Sequence, residues 1–111
     1  MSINSYLIKE VLKSIKIEVE DLDDRFDYVY SDIFNVKLNF LLKIDDLPYL
    51  RSIDNFKKEI DEFKDIFEGF KSYIILCNDE YVDEWIKYGL FSADIIIAKI
   101  DYIISLCEVK L

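Results

Sequence analysis

Apolar residues recur along most of the chain at alternating spacings of three and four positions. In the first half this register runs through Leu12, Ile15, Val19, Leu22, Phe26, Val29, Ile33, Val36 and Phe40. In the second half it runs through Ile53, Phe56, Ile60, Phe63, Phe67, Phe70, Ile74, Cys77 and Tyr81. Such spacing places the apolar residues on one face of a helix, so both halves predict amphipathic helices packed side by side.

Few residues interrupt these registers, and they indicate where helices end. The single proline disfavours the α conformation in the residue before it, so the first helical region should end at Asp45–Pro48. Cys77–Asp79 is a predicted turn, and Gly89 is typical of the residue that follows a helix C terminus. Ser92 would then cap a last helix that extends to about Glu108.

The stretch 15–44 allows two interpretations. One unbroken helix from Ser5 to Ile44 would be about 60 Å long, so we expect a break near Glu18–Asp23 or Ser31–Asn35. Alternation at period two also allows a small β meander here. The length of the helical register and the scarcity of turn residues favour a single all-α domain over 1–111, an antiparallel bundle of four to five helices. An α+β fold with a meander within 15–44 is the alternative.

Negative charge is concentrated in one short stretch. The chain has a formal net charge of −9. Residues 18–32, EVEDLDDRFDYVYSD, contain seven acids and one base, a net charge of −6. This distribution argues against direct binding to nucleic acid or to an anionic membrane, and it favours a basic protein partner.

The residue types that catalysis or metal binding would require are scarce. The chain has no histidine and no glycine-rich loop, and its two cysteines, Cys77 and Cys107, are thirty residues apart. Asp21–Asp24 lacks the glycine and the distal glutamate of an EF-hand loop. We therefore expect no enzyme activity, no cofactor and no metal site. Since charges interrupt MSINSYLIKEVLK, we expect no secretory signal, a cytoplasmic location and two reduced core cysteines.

The acidic stretch is the candidate binding surface. On a helix whose inner face carries Val19 and Leu22, the acids fall outside, and acids three or four positions apart repel one another. One explanation is a helix that starts at about Asp21 or Asp23, whose dipole would favour acids, or an ordinary solvated surface. The other is a docking surface for a basic partner. The candidate partner-binding residues are Glu20, Asp21, Asp23, Asp24, Asp27, Tyr28 and Tyr30.

A second acidic and aromatic cluster occupies residues 79–85, DEYVDEW. Here the acids are interpreted mainly as the capped, solvated start of a helix, and Trp85 as a core residue.

In size, acidity and helical character, and in tyrosines beside acids at Asp27-Tyr28-Val29-Tyr30, the chain resembles the small helical immunity proteins that neutralise bacterial nuclease toxins. In that family, acidic helical residues and a tyrosine pair bind the basic nuclease domain. The resemblance implies binding roles for Asp23, Asp24, Asp27, Tyr28 and Tyr30.

These observations lead to one hypothesis and two alternatives. The hypothesis is a cytoplasmic, non-enzymatic inhibitor that occludes the cationic surface of a toxin or nuclease. The first alternative is a structural or assembly module, a helical homodimer that packs through an apolar stripe at 34–42. The second is a phage-encoded mimic of DNA charge.

Overall fold

A computed structural model describes residues 4–25, 31–76 and 83–108, with the side chains of these ranges except those of 23–25, 31 and 83–85. It contains the helices α1 (Ser5–Arg25), α2 (Ser31–Leu41), α3 (Pro48–Arg51), α4 (Ile53–Leu76) and α5 (Asp83–Glu108). No strand occurs within these ranges. The all-α prediction is therefore confirmed, and the meander is wrong for the described parts of 15–44.

Short polar contacts fix the starts of the helices. The side chain of Asn4 accepts a hydrogen bond of 3.2 Å from the backbone N–H of Leu7, which caps α1. At the start of α4, Ser52 Oγ accepts one of 3.4 Å from the N–H of Asn55. Pro48 is the first residue of α3, a position where a helix needs no N–H donor. The predicted break before Pro48 is thus confirmed, but α2 ends at Leu41, earlier than the predicted 45–48.

The four longer helices form a closed ring of contacts. α1 packs against α2, α2 against α4, α4 against α5, and α5 against α1, while α3 lies against α4. The molecule is elongated, with extents of 51 × 23 × 19 Å. This arrangement is a four-helix bundle with one short extra helix between its second and third long members.

Ion pairs between helices show that neighbours run in opposite directions. Along α4 and α5, residue numbers rise on one helix as they fall on the other, in the pairs Lys57–Glu108, Lys64–Asp101 and Lys71–Asp94, with N–O distances of 2.8, 2.7 and 2.6 Å. Lys9 at the start of α1 pairs at 2.8 Å with Asp45, just after α2. Phe34 early in α2 meets Phe67 late in α4. The bundle therefore has up-down-up-down topology.

The core follows a seven-residue repeat in every long helix. Buried positions alternate at spacings of four and three, which is the pattern of helices that pack with coiled-coil geometry. They are Ile8, Leu12, Ile15, Val19 and Leu22 in α1; Phe34, Leu38 and Leu41 in α2; Phe56, Ile60, Phe63, Phe67, Phe70 and Ile74 in α4; and Ala93, Ile96, Ile100, Ile103 and Cys107 in α5. The predicted stripe is confirmed from Phe56 to Ile74 and from Leu12 to Leu22. Cys77 and Tyr81 lie outside the described residues.

In α2 the predicted inner face is wrong by one position. Ile33 and Val36 were expected inside but are 45% and 70% exposed, whereas Phe34 is fully buried. Its ring stacks on Phe67 with centroids 4.0 Å apart and meets Phe70 edge-on at 5.3 Å. The spacing of buried positions in α1 does not continue into α2, because α2 is a separate helix whose buried face starts at a different residue.

The same shift bears on the homodimer alternative. Phe34, Leu38 and Leu41, which would have formed the contact between copies, are buried within one chain. A homodimer would have to use other residues.

The predicted break within 15–44 is confirmed at one of its two candidate positions, whereas the predicted helix boundary at Gly89 and Ser92 is wrong. α1 continues as helix through Glu18–Asp23, which was one candidate break, while α2 begins at Ser31, within the other. α5 passes without interruption through Gly89 and Ser92, and no glycine of the described ranges has a positive φ. Both residues are buried, as is Ala93. These three small residues lie on the interior face of α5, at positions that bulkier residues occupy in its other turns.

Candidate functional site: the acidic end of the bundle

The antiparallel topology divides the bundle into two ends. We call acidic end the part that holds the last turns of α1 and α4 and the first turns of α2 and α5, residues 17–25, 31–35, 66–76 and 83–98. The remaining described residues, 4–16, 36–65 and 99–108, form the neutral end. The division follows the level of the Lys64–Asp101 pair, at the middle of α4 and in the last third of α5. It passes between Glu18 of the acidic end and Lys99 of the neutral end, which pair at 3.6 Å.

Formal charge is distributed very unequally between the two ends. The acidic end contains ten acids and three bases, a net charge of −7. The neutral end contains ten acids and ten bases, a net charge of zero. Since a charge is screened over about 8 Å at physiological salt, and the bundle is 51 Å long, a partner at one end is largely insensitive to the charge of the other.

Four of the seven predicted partner-binding residues lie at the acidic end. Glu20 is exposed and Asp21 is half-buried. Asp23 and Asp24 belong to the last turn of α1. Asp27, Tyr28 and Tyr30 lie outside the described residues, so their roles remain predictions.

The position of these acids within α1 removes one explanation for them. Asp21 to Asp24 do not start a helix, because α1 begins at Ser5, and they do not form a turn. They lie near its C-terminal end, where the helix dipole disfavours negative charge. A favourable helix dipole therefore does not account for them, and in the last turn of α1 the dipole adds to the repulsion among acids.

The acidic end also contains residues that the sequence did not assign to the binding surface. Asp32 is exposed in the first turn of α2, and Asp83 and Glu84 lie in the first turn of α5. The acidic stretch and the 79–85 cluster are 47 positions apart in sequence, yet their described helical parts lie at the same end of the bundle. The sequence signal that could have linked them is the up-down order of the helices. That order places the C-terminal turns of α1 and α4 at the same end as the N-terminal turns of α2 and α5.

A shallow apolar groove lies between α2 and α4, where the two ends meet. Its lining residues are Asp32, Ile33, Val36, Lys37 and Ile66, and its volume is about 330 Å³. Exposure of Ile33 and Val36 follows from the register of α2, which turns Phe34 inward and these two residues outward. The groove thus places exposed apolar side chains directly beside the acidic end.

A network of charged groups flanks this groove. Lys37 Nζ donates to Glu59 and, at 3.0 Å, to Glu62, while Tyr49 Oη donates to Glu59 Oε1 at 3.0 Å. Burial lowers the pKa of Lys37, but its hydrogen bonds to the two carboxylates outweigh this and leave the pKa raised. The hydrogen bond from Lys37 lowers the pKa of Glu59. Both groups are therefore held in their charged forms, which suits a structural ion pair and not proton transfer.

The remaining chemistry within the described ranges is sparse. Cys107 is a free, buried thiol, and burial raises its pKa to about 11, which makes it a poor nucleophile. Cys77 lies outside these ranges. Among the described side chains no group of His, Cys, Asp or Glu is arranged to hold a metal ion. None of the described helices has the length and apolar content needed to cross a membrane.

Comparison with known proteins identified no relative of this chain. No family model, no curated protein and no solved structure matches the chain.

Proposed function

We propose that this protein is a non-enzymatic cytoplasmic inhibitor that binds a basic protein, a toxin or nuclease domain, and covers its cationic surface with the acidic end of the bundle. The observation that carries the proposal is the net charge of −7 at one end against zero at the other. A field of this kind steers a basic partner toward one end and raises the rate of association.

The distribution of charge supports binding better than it supports folding. Lysines link helices at the neutral end, as in Lys9–Asp45 and Lys57–Glu108, and Lys71–Asp94 does so at the acidic end. The acidic end has more than three acids for each base, and part of this excess lies at the unfavourable terminus of α1. Natural proteins tend to retain such destabilising features where they serve a function.

Two matched variants test the proposal. Glu20→Lys with Asp32→Lys reverses two exposed acids at the acidic end. Asp46→Lys with Asp61→Lys makes the same change of charge at two exposed positions of the neutral end. Circular dichroism establishes that both variants are folded.

Each protein is immobilised and exposed to a lysate of the source cells, and affinity for the retained basic protein is then measured with the purified partner. We expect the acidic-end variant to lose at least about tenfold in affinity, with a steep dependence on salt in the wild type, and the neutral-end variant to bind like the wild type. Equal affinity of both variants, or a retained partner that is acidic, would overturn the proposal.

A further inference from the structure

The groove between α2 and α4 has an apolar floor, and the charged groups around it have a net negative charge. Val36 is 70% exposed and Ile33 45% exposed, and Ile66 completes the floor from α4. Isolated apolar residues on a surface need no explanation, but here three from two helices line one concavity.

The charges around the groove define what can occupy it. Asp32 and Lys37 line it, and Lys37 is itself bound by Glu59 and Glu62. These four groups sum to −2, and Asp65 precedes Ile66 on the exposed side of α4. An occupant therefore needs an apolar side chain to reach the floor and cationic side chains to meet the carboxylates.

A second copy of the chain matches these requirements poorly. In a symmetric dimer the same patch faces itself, so Asp32 and the unbalanced carboxylates of one groove would oppose those of the other. The whole chain has a net charge of −9, which adds to the repulsion between copies.

We infer that the groove is the seat for an amphipathic basic helix of the partner, with one apolar side chain between Ile33, Val36 and Ile66 and lysines or arginines directed toward Asp32, Glu62 and the acidic end. This inference rests on the proposed function, whose partner it describes in more detail. Binding of a helix in an apolar groove is a common mode of recognition, in which spaced apolar anchors give specificity.

The test uses two synthetic peptides of equal length and equal lysine content as probes. One is a leucine–lysine peptide with its leucines on a single helical face, and the other has glutamine in place of every leucine. The proteins are the wild type, a groove variant with Ile33→Gln and Val36→Gln, and a control variant with Ile17→Gln. Ile17 is 68% exposed on α1, outside the groove, so the control removes an equally exposed apolar side chain.

We expect the wild type and the control to bind the leucine peptide about tenfold more tightly than the glutamine peptide, as follows from burial of one leucine side chain. The groove variant should bind both peptides with similar affinity, close to that of the wild type for the glutamine peptide. Chemical-shift changes in the wild type should centre on residues 32–37 and 66.

The outcomes separate this inference from the proposed function. Salt-sensitive binding of both peptides without preference for leucine would overturn the groove inference alone. A preference that the groove variant retains would do the same. Absence of binding of either peptide at low salt would overturn the groove inference together with the proposed function. Concentration-dependent dimerisation that Val36→Gln abolishes would assign the groove to a second copy and overturn the inference.

Discussion

The two ends of the bundle are built on the same core and differ in their surfaces. The seven-residue repeat of buried positions continues through both, from Ile8 to Leu22 in α1 and from Phe56 to Ile74 in α4. At the neutral end acids and bases are equal in number, and several join one helix to the next. At the acidic end the acids exceed the bases by seven.

This difference separates what the fold requires from what it tolerates. Packing of the four helices depends on the apolar repeat, which is common to both ends. The charge imbalance is not needed for that packing and, at the end of α1, opposes the helix dipole. A surface that the fold does not require is the natural place to look for function.

The largest expected effect breaks the core that the two ends share. Phe34→Ala removes a fully buried ring that contacts Phe67 and Phe70, so the free energy of unfolding should fall by about 3–5 kcal/mol. Val36→Ala, on the exposed side of the same helix, should change it by less than about 0.5 kcal/mol. Urea unfolding followed by circular dichroism measures both. Similar losses for the two variants would contradict the register described for α2.

The second prediction concerns the ion-pair network that links α2 to α4. The side chains of Lys37 and Glu59 are only 16% and 13% exposed, so Lys37→Met leaves a covered carboxylate without its cation. We expect a loss of about 1–3 kcal/mol, part of which the double variant Lys37→Met/Glu59→Met should recover. Lys58→Met, at an exposed neighbouring position, is the control and should have little effect. No recovery in the double variant would indicate that packing of the lysine stem is the main contribution.

The same network should be visible in the pH dependence of stability. The pKa of Glu59 is lowered from its ordinary 4.5, so its contribution is complete above that value and is lost as the pH falls through the lowered pKa. The pKa of Lys37 is raised from 10.5, so its contribution is complete below that value and is lost as the pH rises through the raised pKa.

The difference in free energy of unfolding between the wild type and the Lys37→Met/Glu59→Met variant should therefore vary with pH. We expect the wild type to exceed the variant in free energy of unfolding by the largest amount between pH 4.5 and pH 10.5, the ordinary pKa values of the two groups. The excess should be smaller at lower and at higher pH. Other ion pairs, such as Lys64–Asp101, are present in both proteins and cancel in the difference. A difference that is constant with pH would show that the network is not coupled to folding.

Much of the fold could be predicted because it depends on local periodicity. The spacing from Phe56 to Ile74 and the single proline were sufficient for α4 and for the boundary before α3. The predictions of helix boundaries failed where tertiary packing, and not local sequence, determines whether a helix ends. Gly89 and Ser92 have the residue types of a helix end, but burial against neighbouring helices keeps α5 continuous through both.

The candidate site was predictable only in part, for a related reason. Glu20 and Asp21 were identified from the local density of charge, and the structure places both at the acidic end. Asp83 and Glu84 were not added to them because their convergence with α1 depends on which helix ends lie together. The groove was missed because the continued register of α1 placed Ile33 and Val36 inside the protein. A phase difference of one residue between two helices exchanges a core position for a surface one.

The smallest expected effect is the one that addresses the comparison of the two ends most directly. Replacement of Asp23 and Asp24 by Asn removes two negative charges from the last turn of α1, where the dipole and the neighbouring acids disfavour them. The free energy of unfolding should rise by about 0.5–1 kcal/mol at low salt, and by much less in about 1 M NaCl, where such interactions are screened.

Asp54→Asn is the matched control at the neutral end. Since Asp54 lies in the first turn of α4, where the dipole favours an acid, its replacement should lower stability by a few tenths of a kcal/mol. If the acidic-end variant were instead destabilised, those acids would contribute to folding, and their charge would no longer need a partner to explain it. If it were more stable yet bound the basic partner less tightly, the acidic end would be a surface that trades stability for binding.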